Sequence, residues 1–341
     1  MKYILMGDTH LGVKKSNPVM MARQLQGWDH VIEYAKSEGI STIIHEGDFF
    51  DDRAALTIQT INAAKLIAKK LKDAGLKMIM LTGNHDVVYK NRNDVNSPEA
   101  VFGIEDDTIL IFTQPTKMDD IDIIPWVNHT NLSEVMEFVE DSDARFCIGH
   151  FEFSGFPFHK GGRKSDSGMS IKPFRRYEKV FSGHYHTCSS DGNIFYTGSS
   201  FEFTWADWND LKIFTVLDTD SGEARAVAMP KNICNFMKVV VSAEGAVTEI
   251  VPALAVKDRF VRVLVDGVAT KKIEALIVDI EKAALEVEVI YAGEVTVDKD
   301  VVVEEVSAES IEHDVVAAAV SDDSMKSDVL TYIESLKRAV A

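Results

Sequence analysis

Five times in this chain a short apolar run ends in a glycine followed by polar groups able to bind a cation. The segments are Gly7-Asp8-Thr9-His10, Gly47-Asp48-Phe49-Phe50-Asp51, Gly83-Asn84-His85-Asp86, Gly149-His150 and Gly183-His184-Tyr185-His186. The runs before them, Tyr3-Met6, Thr42-His45, Met78-Leu81, Phe146-Ile148 and Lys179-Phe181, read as short buried strands. Between them lie helical patterns. Residues 22–38 space Leu25, Trp28, Val31, Ile32 and Ala35 along one face, with Gly39 as the stop. Residues 56–73 do the same with Ile58, Ile61, Leu66, Ile67 and Leu71, closed by Gly75. Strands alternating with helices predict an α/β fold with a largely parallel sheet. Sites in such sheets form at the carboxyl ends of strands, so the five polar ends can converge on one crevice. The glycines allow sharp turns and close approach of backbone to a bound ion.

The candidate ligands are Asp8, His10, Asp48, Asn84, His150, His184 and His186. They offer carboxylate, imidazole and one amide oxygen, a set suited to manganese, iron or zinc and unlike a thiolate site. Cys147, Cys188 and Cys234 are not needed, and their odd number argues against a disulfide framework. Seven groups exceed what one ion takes, but two ions sharing a carboxylate would use them all. Ions paired at about 3.5–4 Å clamp the attacking and leaving oxygens of an in-line displacement at phosphorus.

The ordered series DxH, GDxxD, GNHD, GH and GHxH across residues 8–186 resembles the calcineurin-like metallophosphoesterases. The resemblance implies a four-layer α-β-β-α sandwich holding two divalent ions. Mn2+ is the expected ion, with Mg2+, Fe2+ or Zn2+ as alternatives. It also implies that Asp8, His10, Asp48 and His186 hold one ion and Asp48, Asn84, His150 and His184 the other. His85 would stabilise the phosphate or protonate the leaving oxygen, Asp86 would orient His85, and the nucleophile would be a hydroxide on the ions. Gly47-Asp48-Phe49-Phe50-Asp51-Asp52-Arg53 is similar to the GDLFD segment of SbcD-type DNA repair nucleases, and the VDRG pattern of protein phosphatases is missing there. Ile124-Pro125-Trp126, and Gly149-His150-Phe151-Glu152 with Gly155-Phe156, resemble the phage recombination-endonuclease branch. That resemblance implies an exonuclease and endonuclease on DNA, partnered by an SbcC-like SMC-type ATPase as a homodimer within a heterotetramer. Two rivals stand beside it: a small-substrate phosphodiesterase or protein phosphatase of the same fold, and a non-catalytic scaffold. A scaffold has no need of seven converging ligands.

Three divisions are expected: a nuclease domain over 1–225, a small α+β capping or DNA-positioning module over 226–295, and an acidic linker with helical tail over 296–341. The module shows a strand at Phe260-Val265, a helix at Thr270-Ala284 and a strand at Leu285-Tyr291. Two strands outside the parallel set, Asn193-Thr197 and Lys212-Leu217, are expected to be antiparallel. The tail carries Val329, Tyr332, Ile333 and Leu336 on one helical face, suited to docking a partner or to packing on its own chain.

The net charge of −18 opposes an extended nucleic-acid surface, but the acids are densest in the tail, where 231–341 hold 12 Lys+Arg against 21 Asp+Glu. The one dense basic stretch includes Lys160, Arg163, Lys164, Arg175 and Arg176 and lies between two ligand segments. It reads either as a grip on a DNA backbone or as a solvated loop. Trp205 and Trp208 read as packing residues before base-stacking ones, and His30, His45, His129, His159 and His313 as histidines outside the site. No apolar run approaches the roughly 20 residues that span a bilayer, and the first residues lack a leader pattern, so a cytoplasmic location is expected.

Overall fold

The computed structural model describes residues 1–103, 107–241, 253–266 and 270–291. The first sheet has six strands in the order Glu223–Ala228, Ile213–Asp218, Lys2–Met6, Thr42–His45, Lys77–Leu81 and Ile109–Phe112. The last four run parallel, and Ile213–Asp218 pairs antiparallel with Lys2–Met6, as its sequence predicts. The second sheet runs Ser189–Asp191, Ile194–Tyr196, Lys179–Gly183, Phe146–His150, Ile121–Ile124 and Thr116–Met118. Its four inner strands are parallel. The strand at Ile194–Tyr196 therefore departs from the antiparallel expectation. The chain reverses after Gly183, descends through Ser189–Asp191 and climbs again, so Ile194–Tyr196 lies parallel to Lys179–Gly183 and antiparallel only to its hairpin mate.

Side-chain alternation along these strands builds the layers. Tyr3, Leu5, Ile44, Ile79 and Leu81 from the first sheet meet Ile121, Ile123, Phe146, Ile148 and Phe181 from the second in a core between the sheets. The opposite register, Ile4, Met6, Ile43, Met78 and Met80, packs under helices Pro18–Glu38 and Ile58–Asp73 through Trp28, Val31, Ala64 and Ile67. The far face of the second sheet packs Cys147, Val180 and Ile194 on Val135 and Val139 of helix Leu132–Asp141 and on Phe174. The result is the four-layer α-β-β-α sandwich.

Both long helices begin where capping chemistry puts them. The Asn17 side chain accepts from the N–H groups of Val19 and Met20 with Pro18 in the first turn, and Thr57 accepts from Thr60. Gly39 ends the first helix in the left-handed conformation.

The strand Glu223–Ala228 carries the first sheet past residue 225, and a three-stranded parallel sheet starts only at Phe236. Its strands are Phe236–Val241, Phe260–Val265 and Glu286–Tyr291 in that order, with helix Lys271–Glu281 packed against them. The first of these strands is not legible in the sequence. Phe236 stacks on Phe260 and meets Trp205, and the Glu202 carboxylate accepts from the N–H groups of Asn235 and Phe236. Trp205 and Trp208 also lie under Arg262 and Lys238, so both tryptophans pack, as expected. Residues 1–294 form one compact unit. The tail residues Val329, Tyr332, Ile333 and Leu336 lie outside the described residues.

Candidate metal centre

All seven expected ligands sit at carboxyl ends of parallel strands or in the loops that follow them. Asp8 and His10 follow Lys2–Met6, Asp48 follows Thr42–His45, and Asn84 follows Lys77–Leu81, all from the first sheet. His150 ends Phe146–His150, and His184 and His186 follow Lys179–Gly183, from the second. The centre therefore lies where the two sheets open at one end.

The loops reach one another because their glycines have no side chain. A Cβ on Gly83 would collide with Asp48 Oδ1, and one on Gly47 would stand 2.5 Å from His150 Nδ1. Gly47 also has φ +95°. The ligands themselves carry strain: His10, Asp48 and His184 have φ of 41°, 53° and 89°, a region that costs a non-glycine residue of order 1–3 kcal/mol each.

Three groups of possible ligand atoms form, each with its atoms within 4.8 Å of one another: His10, Asp51 and His85, and the two made of expected ligands, Asp8, His10 and His186, and Asp48, His150 and His184. Asp48 stands between the latter two, with Oδ2 3.8 Å from His10 Nε2 and 3.3 Å from His150 Nε2. Asn84 Oδ1 lies 2.9 Å from both His150 Nε2 and His184 Nδ1. His10 Nε2 and His186 Nε2 face each other at 3.2 Å, with Asp8 Oδ2 3.9 and 3.6 Å away.

Hydrogen bonding decides what these atoms can hold. His150 Nδ1 donates to the Glu46 carbonyl at 2.8 Å, since a carbonyl only accepts. That fixes the proton on Nδ1 and turns the Nε2 lone pair toward a carboxylate oxygen and an amide oxygen. These atoms call for positive charge between them, either a proton on His150 Nε2 or a cation in its place. Burial lowers the basicity of His150, but Asp48 and Asp8 outweigh it and push its pKa up to about 9. Burial likewise opposes ionisation of Asp48, and His150 and His85 overcome it, holding its carboxyl well below the usual range. The donor set fits divalent metal ions.

His85 is half-buried beside the ligands. Its backbone N–H donates to Asp48 Oδ1 at 2.7 Å and its Nδ1 to the Asp51 carbonyl at 2.7 Å. The proton of the neutral ring therefore sits on Nδ1 and its lone pair on Nε2. The expected pairing of Asp86 with His85 is not found. The Asp86 carboxylate, fully buried, instead accepts from the backbone N–H groups of Gly83, Phe49 and Phe50, and so laces the Asp48 and Asn84 loops together. The Asp51 carbonyl takes the orienting role, which leaves His85 Nδ1 no need of Asp86. Burial and the nearby Asp48 raise Asp86 to about 6.

The basic stretch divides. Arg176 donates to the carbonyls of Val139 and Ser142, and Arg175 to the Asp191 carbonyl and Asn193 while pairing with the Asp191 carboxylate. Arg175 thus ties down the edge strand Ser189–Asp191 and Arg176 the end of helix Leu132–Asp141, while both side chains stay exposed. Lys160, Arg163 and Lys164 are exposed. Lys160 donates to the Asn209 carbonyl, Arg163 pairs with Asp166, and the loop packs Phe158 on Tyr185, next to His184.

Three contributors are not foreseen from the sequence. The Lys212 ammonium, buried, donates to the His186 carbonyl at 3.1 Å, to Ser199 Oγ at 2.8 Å and to Asp207 Oδ1 at 2.8 Å. Phe203 packs edge-on against His10 and His186. Asp51 lies with its Oδ1 3.4 Å from His10 Nδ1 and is visible as the last residue of its segment. Lys212 and Phe203 have no local signature, because their contact with the site is made across the fold.

Residues 1–188 match the calcineurin-like phosphoesterase family. The chain belongs to that family. It is 36% identical over 236 residues to exonuclease subunit 1 of Enterobacteria phage T4, covering 68% of each chain. It is 24% identical over 263 residues to the SbcD component of the SbcCD nuclease of Staphylococcus epidermidis, covering 65% of this chain and 67% of that one. The DNA double-strand break repair protein Mre11 of Saccharolobus solfataricus is 24% identical over 198 residues, where the chain spans about half of the relative, 51%, and the match takes in 55% of this chain. The family and its ligand set make the chain a metal-dependent phosphoester hydrolase with relatives named as nucleases. No helix among the described residues is long and apolar enough to cross a membrane.

The Lys212–Asp207 pair gives a pH signature. Burial opposes the Asp207 charge, but Lys212 and His186 hold its pKa down to about 2, against an ordinary 3.8. A depressed carboxyl stabilises the fold above its unfolded value and loses that effect as pH falls through its folded value. Urea midpoints of the protein and of Asp207→Asn, followed from about pH 6 to about pH 2, should differ by a constant amount down to about pH 4 and converge below it. A difference that persists unchanged to the lowest pH would remove the ion pair as its source.

Proposed function

We propose that the chain is the nuclease subunit of a DNA recombination and repair complex, hydrolysing phosphodiester bonds with two bound divalent ions, Mn2+ first among them. The observation that carries this reading is the position of Asp48, one carboxylate within 4 Å of a histidine from each ligand group. Asp8, His10, Asp48 and His186 would hold one ion, and Asp48, Asn84, His150 and His184 the other. When bound, the ions supply positive charge for the phosphate and lower the pKa of coordinated water. The chain's own residues do the remainder. His150 is fixed by the Glu46 carbonyl with its lone pair toward the site, and Asp86 keeps the loops of Asp48 and Asn84 in register. His85, anchored through Nδ1, offers Nε2 to the phosphate or its leaving oxygen. Asn84, His85, His184 and His186 are the half-exposed members, so substrate enters from their side.

DNA as substrate is supported by the names of the relatives, which are an exonuclease subunit, a nuclease subunit and a break-repair protein. The exposed Lys160, Arg163, Lys164, Arg175 and Arg176 would follow a DNA backbone, the first three from one loop. Residues 226–295 would act as a capping or DNA-positioning module. Residues 296–341 would carry the docking face Val329, Tyr332, Ile333 and Leu336 for an SMC-type ATPase, in a homodimer within a heterotetramer.

In manganese, His85→Ala should lower phosphodiester turnover about 10²–10⁴-fold while two ions per chain remain by metal analysis. Asp48→Ala should lose the ions as well as turnover. Equal loss of metal in both variants would contradict the role of His85. Reversing the charge of Lys160, Arg163 and Lys164 together should weaken DNA binding and flatten its salt dependence, with hydrolysis of a small phosphodiester preserved. An unaltered salt slope would exclude the loop. Removing residues 307–341 should spare nuclease activity and abolish co-purification with the ATPase subunit. Retained co-purification would place the docking face elsewhere.

A further inference from the structure

We infer that Trp126 is a specificity residue, an aromatic wall on the His150 and His184 side of the centre that stacks on a nucleobase next to the cleaved phosphate. The inference deepens the nuclease reading and rests on it. The indole lies 5.3 Å from the His184 ring at a 38° tilt and 5.8 Å from the His150 ring, so it borders two ligands directly. It is only half-buried, in contrast to Trp28, which is wholly enclosed in the core. A ring that touches two ligands and still keeps part of its surface open can meet whatever occupies the centre.

The backbone beneath this ring is held from three directions. The Trp126 N–H donates to the Thr82 carbonyl at 2.7 Å, on the strand end that leads to Asn84. Its carbonyl accepts from Asn93 Nδ2 at 2.8 Å and from Asn131 Nδ2 at 3.1 Å. Asn93 lies on strand Arg92–Asn96, directly beyond the His85 segment, and Asn131 precedes helix Leu132–Asp141. Two asparagine side chains thus hold the backbone that carries a large ring beside His150 and His184. A fixed aromatic face beside a phosphate-binding site suits a substrate in which each phosphate carries a base. Every base offers a π-face, so stacking distinguishes nucleic acid from other phosphodiesters without reading sequence.

The test uses the full chain loaded with manganese and oligonucleotides with one abasic position, moved stepwise past the cleaved phosphate. In the unaltered protein one abasic position should lower kcat/KM about tenfold, the loss of one base–aromatic stack. In Trp126→Ala that penalty should vanish, and in Trp126→Phe most of it should remain, with two ions bound in each. An abasic penalty of undiminished size in Trp126→Ala would overturn the assignment. So would loss of bound manganese in that variant, which would make the ring mere support for His150 and His184. An unaltered protein that cuts no oligonucleotide would instead overturn the nuclease reading.

Discussion

The centre depends on one electrostatic constraint: oxygen and nitrogen atoms rich in electrons are held against each other with little solvent to relieve them. Asp48 Oδ2, Asn84 Oδ1 and the Nε2 lone pair of His150 occupy one small volume. With His150 Nδ1 tied to the Glu46 carbonyl, the group can gain a proton only on His150 Nε2, in the place a bound cation would take. Such a cluster is repulsive unless a proton or cations lie within it, and in the low dielectric of the interior the repulsion is large. Much of the surrounding structure can be understood as opposing it. Asp86 takes three backbone N–H groups to lock the loops, and Lys212 reaches the His186 carbonyl from behind. The positive φ angles at His10, Asp48 and His184 are the local cost of that locking.

The sandwich makes the arrangement possible because each sheet brings its own strand ends to the same edge. Asp8, Asp48 and Asn84 come from one sheet and His150, His184 and His186 from the other. The apolar core between the sheets therefore sets the spacing of the ligands. Tyr3, Leu5, Ile44 and Leu81 facing Ile123, Ile148 and Phe181 act as the spacer. Phe203 closes the side nearest His10, and Trp126 borders the side nearest His184.

The sequence is most informative where chemistry is local. A strand ending in glycine and a ligand type writes itself as consecutive letters, so the seven candidate ligands and the sandwich are legible directly. Orientation is harder. Adjacency in the chain points the Asp86 carboxylate at His85, yet adjacent side chains leave in different directions and Asp86 finds three backbone donors. The strand at Phe236–Val241 escapes a sequence reading because its apolar run follows a stretch without periodicity, and its partner strand begins some twenty residues later, at Phe260. Lys212 could not be anticipated, since a lone lysine next to a strand normally points to water and only tertiary structure buries it beside Asp207.

Arg175 and Arg176 show how basic groups of one stretch can be on the surface and still be bonded within the fold. Counted as letters they belong to the single basic stretch, but their guanidiniums are satisfied by carbonyls and by Asp191. Lys160, Arg163, Lys164, Arg175 and Arg176 all stay exposed, but Arg163 is paired with Asp166 and Arg175 with Asp191, on a chain of net charge −18. A polyanion approaching such a chain meets little long-range attraction. In the proposed nuclease the attraction must then be short-ranged, from ions that neutralise Asp8 and Asp48 and from contacts formed only inside the cleft.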